Sequence, residues 1–258
     1  LETYEQESDT HRMARVWLAL SIAWEQKGER DRAVELIQRS IDAFELLGDL
    51  RRLGKAWSNL GKVHGHREAW DQAINCYEKA LQARERQGDH HGTASARTNL
   101  GAAHARKGEW DQAITCYEEA LQAWERIGHI YAKATTGMQL GHAYQHQHQW
   151  DRAIQWYRIS LDSFQRLGEE EAAARAWVDL GRVCAEKGEL QRAIEHLQRS
   201  LQIFARLGDT ENAAVNRSEI GMLYLRMDRV AEAKRQLGHA CLTLAHLGSP
   251  LAEVAARG

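Results

Sequence analysis

The sequence predicts an all-α solenoid built from a two-helix unit that recurs every 40 residues. Three columns carry that prediction. Leu60-Gly61 recurs as Leu100-Gly101, Leu140-Gly141, Leu180-Gly181 and Ile220-Gly221. Ala33 recurs as Ala73, Ala113, Ala153, Ala193 and Ala233, and Gly48 as Gly88, Gly128, Gly168, Gly208 and Gly248. A fixed period of this size means units that bury their apolar faces against their neighbours. No stretch alternates as a strand would, and the single proline, Pro250, breaks no helix inside the array.

Taken in order, residues 1–8 align with 41–48, with Leu1 on Ile41, Tyr4 on Phe44 and Ser8 on Gly48. They read as the end of a preceding repeat. Six whole repeats follow at 9–48, 49–88, 89–128, 129–168, 169–208 and 209–248. Residues 249–258 read as the start of a further one that stops mid-helix. A natural solenoid ends in a repeat with a polar outer face. Neither end has one, so the expectation is a piece of a longer protein with partial repeats at both ends.

Each repeat reads as helix, turn, helix, giving twelve whole helices. In the third, Ala94, Ala96, Leu100, Ala103 and His104 fall on one side at helical spacing. Gly108 suits the left-handed residue that ends the first helix. Trp110-Asp111 opens the second helix, with Asp111 complementing the dipole. Ala113, Ile114, Tyr117, Ala120, Leu121 and Trp124 follow at spacings of three and four, and Gly128 stops the helix. Asp49, Asp89 and Asp209 stand just after the glycine column, where a capping side chain is useful. Gly101 and Ala113 are small so that the two helices approach, with Leu100 and Tyr117 filling the seam.

The net charge of −2 argues against a general nucleic-acid binder. No apolar run approaches the ~20 residues of a membrane span. Cys76, Cys116, Cys184 and Cys241 show no CxxC spacing, and read as free thiols of an intracellular, cytoplasmic protein.

The columns Trp57, Leu60, Gly61, Trp70, Ala73, Tyr77 and Ala80, repeated over the whole chain, resemble the tetratricopeptide repeat. The common form has 34 residues and a proline near the end of its second helix. Here the unit has 40, and Glu85 and Glu125 stand near that position. The longer form is similar to repeats of kinesin light chain, of GoLoco-containing adaptors and of bacterial signal-transducing ATPase sensors. The resemblance implies a right-handed superhelix, no catalysis, no cofactor, and a concave wall that holds a peptide or a partner helix.

The first-helix positions left over from the seam then form the expected groove. In repeats two to four these include Lys55, Asn59, Lys62, His66, Asn99, Arg106, Gln139, His142 and His146, with no acid among the eighteen positions. Arg175 and Arg182 continue the set in repeat five, beside Asp179 and Glu186. Val215, Met222 and Leu225 of repeat six add an apolar stretch. The expected ligand is an acidic extended segment of a protein or peptide. Its backbone would meet the amides Asn59, Asn99 and Gln139, and its charge Lys62 and Arg106. A merely solvated wall, with binding elsewhere, stands beside that reading. His142 and His146 lie one turn apart, but no carboxylate or thiol completes a metal set with them, so no metal is expected. They could charge at low pH along with His66. Trp70, Trp110 and Trp150 share a packing column. Two further roles remain open: self-association through uncapped ends, and autoinhibitory control of an effector domain outside the chain.

Overall fold

The structure is a computed structural model. It describes residues 2–248, with side chains from Asp9 onward. The described residues form twelve helices joined by turns, with no strand among them. No helix among them is long and apolar enough to cross a membrane. The chain divides into two compact units, 1–129 and 130–258. The first unit holds α1 (Glu2–Gln26), α2 (Arg30–Leu46), α3 (Leu50–Gly65), α4 (Trp70–Gln87), α5 (His90–Lys107) and α6 (Trp110–Ile127). The second holds α7 (Ile130–His146), α8 (Trp150–Leu167), α9 (Glu170–Lys187), α10 (Leu190–Leu207), α11 (Thr210–Arg226) and α12 (Val230–His246). Within each unit, consecutive helices pack as three hairpins stacked in chain order. This is the all-α helical solenoid that the period predicts.

The glycine of the Leu-Gly column sets how close each hairpin closes. A Cβ on Gly101 would stand 2.7 Å from the Tyr117 ring, and one on Gly141 2.5 Å from Tyr157. Gly61 meets Tyr77, Gly181 meets Leu197 and Gly221 meets Leu237 in the same way. The alanines opposite are fully buried. Each unit therefore has its core along the seams, with Ile37, Ile41, Phe44, Trp57 and Val63 in the first. Ile194, Leu197, Phe204, Ile220 and Leu223 fill the second.

The helix ends follow the sequence signals. Asp49, Asp89 and Asp209 each cap the following helix, accepting from the backbone N–H of Arg52, Gly92 and Asn212 at 3.0, 2.8 and 3.0 Å. Gly88, with φ 73°, ends α4 while the Gly88 and Asp89 amides bond back to the Glu85 and Arg84 carbonyls. One expectation needs correction. The break expected at Ser8–Asp9 is absent, and α1 runs unbroken from Glu2 to Gln26. Serine at position 8 lacks the freedom of Gly48, its aligned residue, to turn left-handed. The turn inside the hairpin is left-handed at Gly28, Gly108 and Gly188, but also at Glu68, His148 and Asp228, with φ 59°, 58° and 57°. The hairpin geometry imposes αL there whatever the side chain. The proposed start of a further repeat at 249–258 lies outside the described residues.

Candidate functional site

In the first unit, α1, α3 and α5 line a cleft of about 850 Å³, joined by Phe44 of α2 and Arg84 of α4. Lys55, Asn59, Lys62 and Asn99 of the expected groove all line it. So do Arg15, Arg51, Arg52 and Arg84, giving six basic side chains against one carboxylate, Asp89.

The charges differ in how they are used. Arg52 is neutralised, its Nη1 donating to Asp49 Oδ2 at 2.7 Å. Burial pushes the Asp49 carboxyl up, but hydrogen bonds from the Arg52 backbone and side chain and from His11 outweigh it and hold the pKa below the usual value. Arg84 donates to Ser58 Oγ at 3.2 Å and lies 3.9 Å from Asp89. Burial lowers its pKa against the pull of Asp89. Arg15, Arg51, Lys55 and Lys62 have no ion-pair partner among the described residues. The Asn59 Nδ2 is buried without a hydrogen-bond partner.

Two expected groove residues are elsewhere. His66 Nδ1 pairs with Glu25 Oε1 at 2.8 Å, and Arg106 stacks over Trp70, 5.4 Å from the ring centre. Neither lines the cleft, because each lies near the C-terminal end of its first helix and finds a partner there. The residues that sequence reasoning missed are Arg15, which lies in repeat one, Arg51 and Arg52 in a first turn, and Arg84 on a second helix. For Arg84 a signal was present: it stands in a column otherwise filled by Phe44, Trp124, Phe164, Phe204 and Leu244.

In the second unit, Gln139, His142 and Arg175 line a cleft of about 390 Å³ with Tyr131, Phe164 and Asp179. His142, Arg175, Arg182 and Val215 line another of about 290 Å³. Here the charged groups answer one another, while the Gln139 Oε1 is buried without a hydrogen-bond partner. His142 Nε2 lies 3.2 Å from Asp179, and its Nδ1 lies 3.1 Å from the Tyr157 hydroxyl. Tyr157 donates to Gln145 Oε1 at 2.7 Å, and Gln145 Nε2 donates to Glu186 at 2.7 Å. Arg182 donates to Glu219, a bond that raises the arginine's pKa against burial, and lies 3.9 Å from Asp179. Arg175 pairs with Glu171 of its own helix. His146 lines neither cleft. The expected apolar pocket is not assembled: Val215 lines a cleft, Met222 is 45% exposed, and Leu225 packs on the core.

The tetratricopeptide repeat family model matches residues 52–126, 132–206 and 172–241. No curated protein sequence matches the chain. Among solved structures it is similar to BtubC (BKLC) of P. vanneervenii, with a TM-score of 0.74 and 22% identity over 87% of this chain and 91% of that one. It is similar to a signal transduction ATPase with numerous domains from Pyrococcus horikoshii, which has a tetratricopeptide repeat sensor. There the TM-score is 0.83 and the identity 15%, over 96% of this chain and 38% of that one. A Rap protein complexed with competence and sporulation factor gives 0.64 and 13%, over 95% and 73%. These likenesses concern the fold. The match of the family model over most of its length makes this chain a member of the tetratricopeptide repeat family.

Proposed function

We propose that the chain is a non-catalytic interaction module, the scaffold or sensor part of a larger protein. Its α1–α3–α5 cleft binds an acidic, extended protein segment. Tetratricopeptide scaffolds typically mediate protein interactions. The observation that carries the acidic preference is the set Arg15, Arg51, Lys55 and Lys62, four cations on one wall without a carboxylate partner among the described residues. Like charges held together in a cleft repel one another and raise the local concentration of anions. An acidic ligand relieves the first effect and uses the second. Asn59 and Asn99 stand among them, and an extended backbone offers N–H and C=O groups to both amides. The Pyrococcus protein's repeat sensor and the Rap protein's complex with competence and sporulation factor are in keeping with this role.

The test is panning of a random peptide library against the wild type, Lys55→Glu/Lys62→Glu and Arg106→Glu, at low and moderate salt. Arg106→Glu changes charge outside the cleft. The expected result is enrichment of acidic peptides that weakens with salt, is lost in the double variant and persists in the control. Equal enrichment by wild type and double variant would sink the reading.

A second reading has its own observation. Met13, Val16 and Leu20 stand 51%, 54% and 46% exposed on one side of α1, while Ala56 and Leu60, which repeat Val16 and Leu20, are buried. A second copy of this chain covering that stripe would make the module self-associate. Sedimentation should then show concentration-dependent mass that Val16→Glu/Leu20→Glu abolishes. Concentration-independent mass would reject it.

A further inference from the structure

The second repeat departs from its siblings at two columns that face each other across the hairpin. In the first repeat these columns hold His11 and Phe44, stacked edge to face with ring centres 6.1 Å apart. In the third they hold His91 and Trp124 at 5.0 Å, and in the fourth Tyr131 and Phe164 at 5.8 Å. In the second they hold Arg51 and Arg84. Repeats five and six hold Glu171 with Phe204 and Glu211 with Leu244, so the second repeat is the one with arginine in either column. Both guanidinium groups line the basic cleft.

The surroundings are fitted to Arg84. Its side chain is only 16% exposed. Gly54 replaces the alanine found at 14, 94, 134, 174 and 214, and a Cβ there would stand 3.0 Å from Arg84 Cγ. A Cβ on Gly92 would collide with Arg84 Nη1 and the Asp89 carboxylate. Ser58 accepts from Nη2. A guanidinium has five N–H donors. Arg84 has Ser58 as its hydrogen-bond acceptor and Asp89 as a distant ion pair, and its Nε is buried without an acceptor. Arg51 has no ion-pair partner among the described residues. Placing a buried cation in an apolar column and leaving donors unspent is costly for the free protein. An oxyanion between the two columns supplies the missing acceptors.

We infer that Arg51 and Arg84 form an oxyanion socket in the second repeat, which takes one carboxylate or phosphate group of the bound segment. The inference rests on the acidic-ligand reading of the cleft and deepens it by naming the anchor. Asp89 is then the internal competitor: it caps α5 and lies 3.9 Å from Arg84, so its charge competes with a bound oxyanion for the guanidinium.

The test uses fluorescein-labelled octaglutamate, a glycine-serine peptide with one phosphoserine, and inorganic phosphate as a thermal-shift additive. The whole chain is compared with Arg84→Gln, Arg84→Lys, Asp89→Asn and the repeat-like variant Gly54→Ala/Arg84→Phe. The last restores residue types that sibling repeats carry, so it retains the fold even if Arg84→Gln does not. Arg84→Gln and the repeat-like variant should bind each peptide at least tenfold more weakly, and phosphate should no longer raise their melting temperature. Arg84→Lys should recover only part, since a point charge replaces a fork. Asp89→Asn keeps a capping oxygen, removes the competing charge and should bind more tightly. That gain is not expected of an arginine that merely staples helices. The tighter-binding peptide, glutamate or phosphoserine, identifies the oxyanion. If octaglutamate binds and depends on Lys55 and Lys62 but not on Arg84, the socket falls and the cleft stands. If neither peptide binds, the cleft reading falls, and phosphate stabilisation indifferent to Arg84→Gln overturns the socket as well.

Discussion

The inner faces of the two units draw on the same helix positions and use them in opposite ways. In the first unit, Arg15, Arg51, Lys55 and Lys62 face a cleft without carboxylate partners among the described residues. In the second, His142 and Arg182 sit on the equivalent wall, but Asp179 and Glu219 have risen into the same columns and pair with them. Column by column, Asp179 stands where Asn59 and Asn99 stand, and Glu219 does the same one repeat on. The exchange of amide for acid at one position converts a surface that asks for an anion into one that is already satisfied. On the proposed reading, binding capacity in such an array follows from which charges lack internal partners more than from how many there are.

The largest expected effect concerns what the units share. Gly141→Ala places a methyl 2.5 Å from Tyr157, whose hydroxyl holds His142 and Gln145. Overpacking of this kind costs about 1–3 kcal/mol. Thermal unfolding should show that loss for Gly141→Ala and a comparable one for Gly101→Ala in the first unit. A neutral result at either position would mean that the seam is looser than its geometry. If the tyrosine anchors the polar network, only the Gly141 variant should disturb the imidazole resonances of His142.

Next comes a conversion of one face into the other. Asp179→Asn/Glu219→Gln restores amides to the column and leaves Arg182 and His142 without their acids. The second unit should then gain about tenfold in affinity for octaglutamate, the worth of one charge-assisted bond. Titration of residues 130–258 within the intact chain is read against a Lys55→Glu/Lys62→Glu background, which silences the first cleft. No gain in that background would show that pairing is not what separates the two faces.

The histidine part of the acid response should be alike in both units. Burial lowers the pKa of His64 in the first unit, with Arg67 adding to the effect. Burial likewise lowers that of His196 in the second, with Arg199 and Arg158 adding to it. A histidine whose folded pKa is depressed contributes stability that is complete above its unfolded pKa of about 6.5 and is lost as pH falls from there through the folded pKa. Asp49 adds a second loss below pH ~4, for its folded carboxyl is also depressed. Melting temperature should therefore drop between pH 7 and 5. His64→Tyr, which installs the residue found at Tyr144 and Tyr224, should shrink that drop. An unchanged slope in the variant would remove His64 from the account.

Much of this was legible from spacing alone. The Leu-Gly, alanine and glycine columns locate the helices because a hairpin repeats its steric needs at every copy. Asp49, Asp89 and Asp209 announce caps because a short side chain after a glycine has a local partner. The cleft was half legible. Lys55, Asn59, Lys62 and Asn99 fall into it by helical phase. Arg106 and His66 do not, since Trp70 and Glu25 come from other helices and no spacing reveals them. The pairing of Arg182 with Glu219, 37 residues apart, is likewise invisible until the repeats are stacked.

The smallest effect tests the turns. Glu68 in the first unit, and His148 and Asp228 in the second, hold φ between 57° and 59° where Gly28, Gly108 and Gly188 turn left-handed freely, at 81°, 86° and 91°. A left-handed residue with a Cβ costs ~1–2 kcal/mol, and glycine returns part of that gain through its freer unfolded chain. Glu68→Gly and His148→Gly should each stabilise by about 0.5–1 kcal/mol, and Asp228→Gly by less, because aspartate tolerates this conformation. Urea unfolding with an unchanged m-value is the measurement. Since none of the three lines a basic or a neutralised cleft, the substitutions should leave peptide binding untouched in both units. If Glu68→Gly altered octaglutamate binding, the turn would be shaping the first cleft, and the contrast between the faces would depend on backbone as well as on charge.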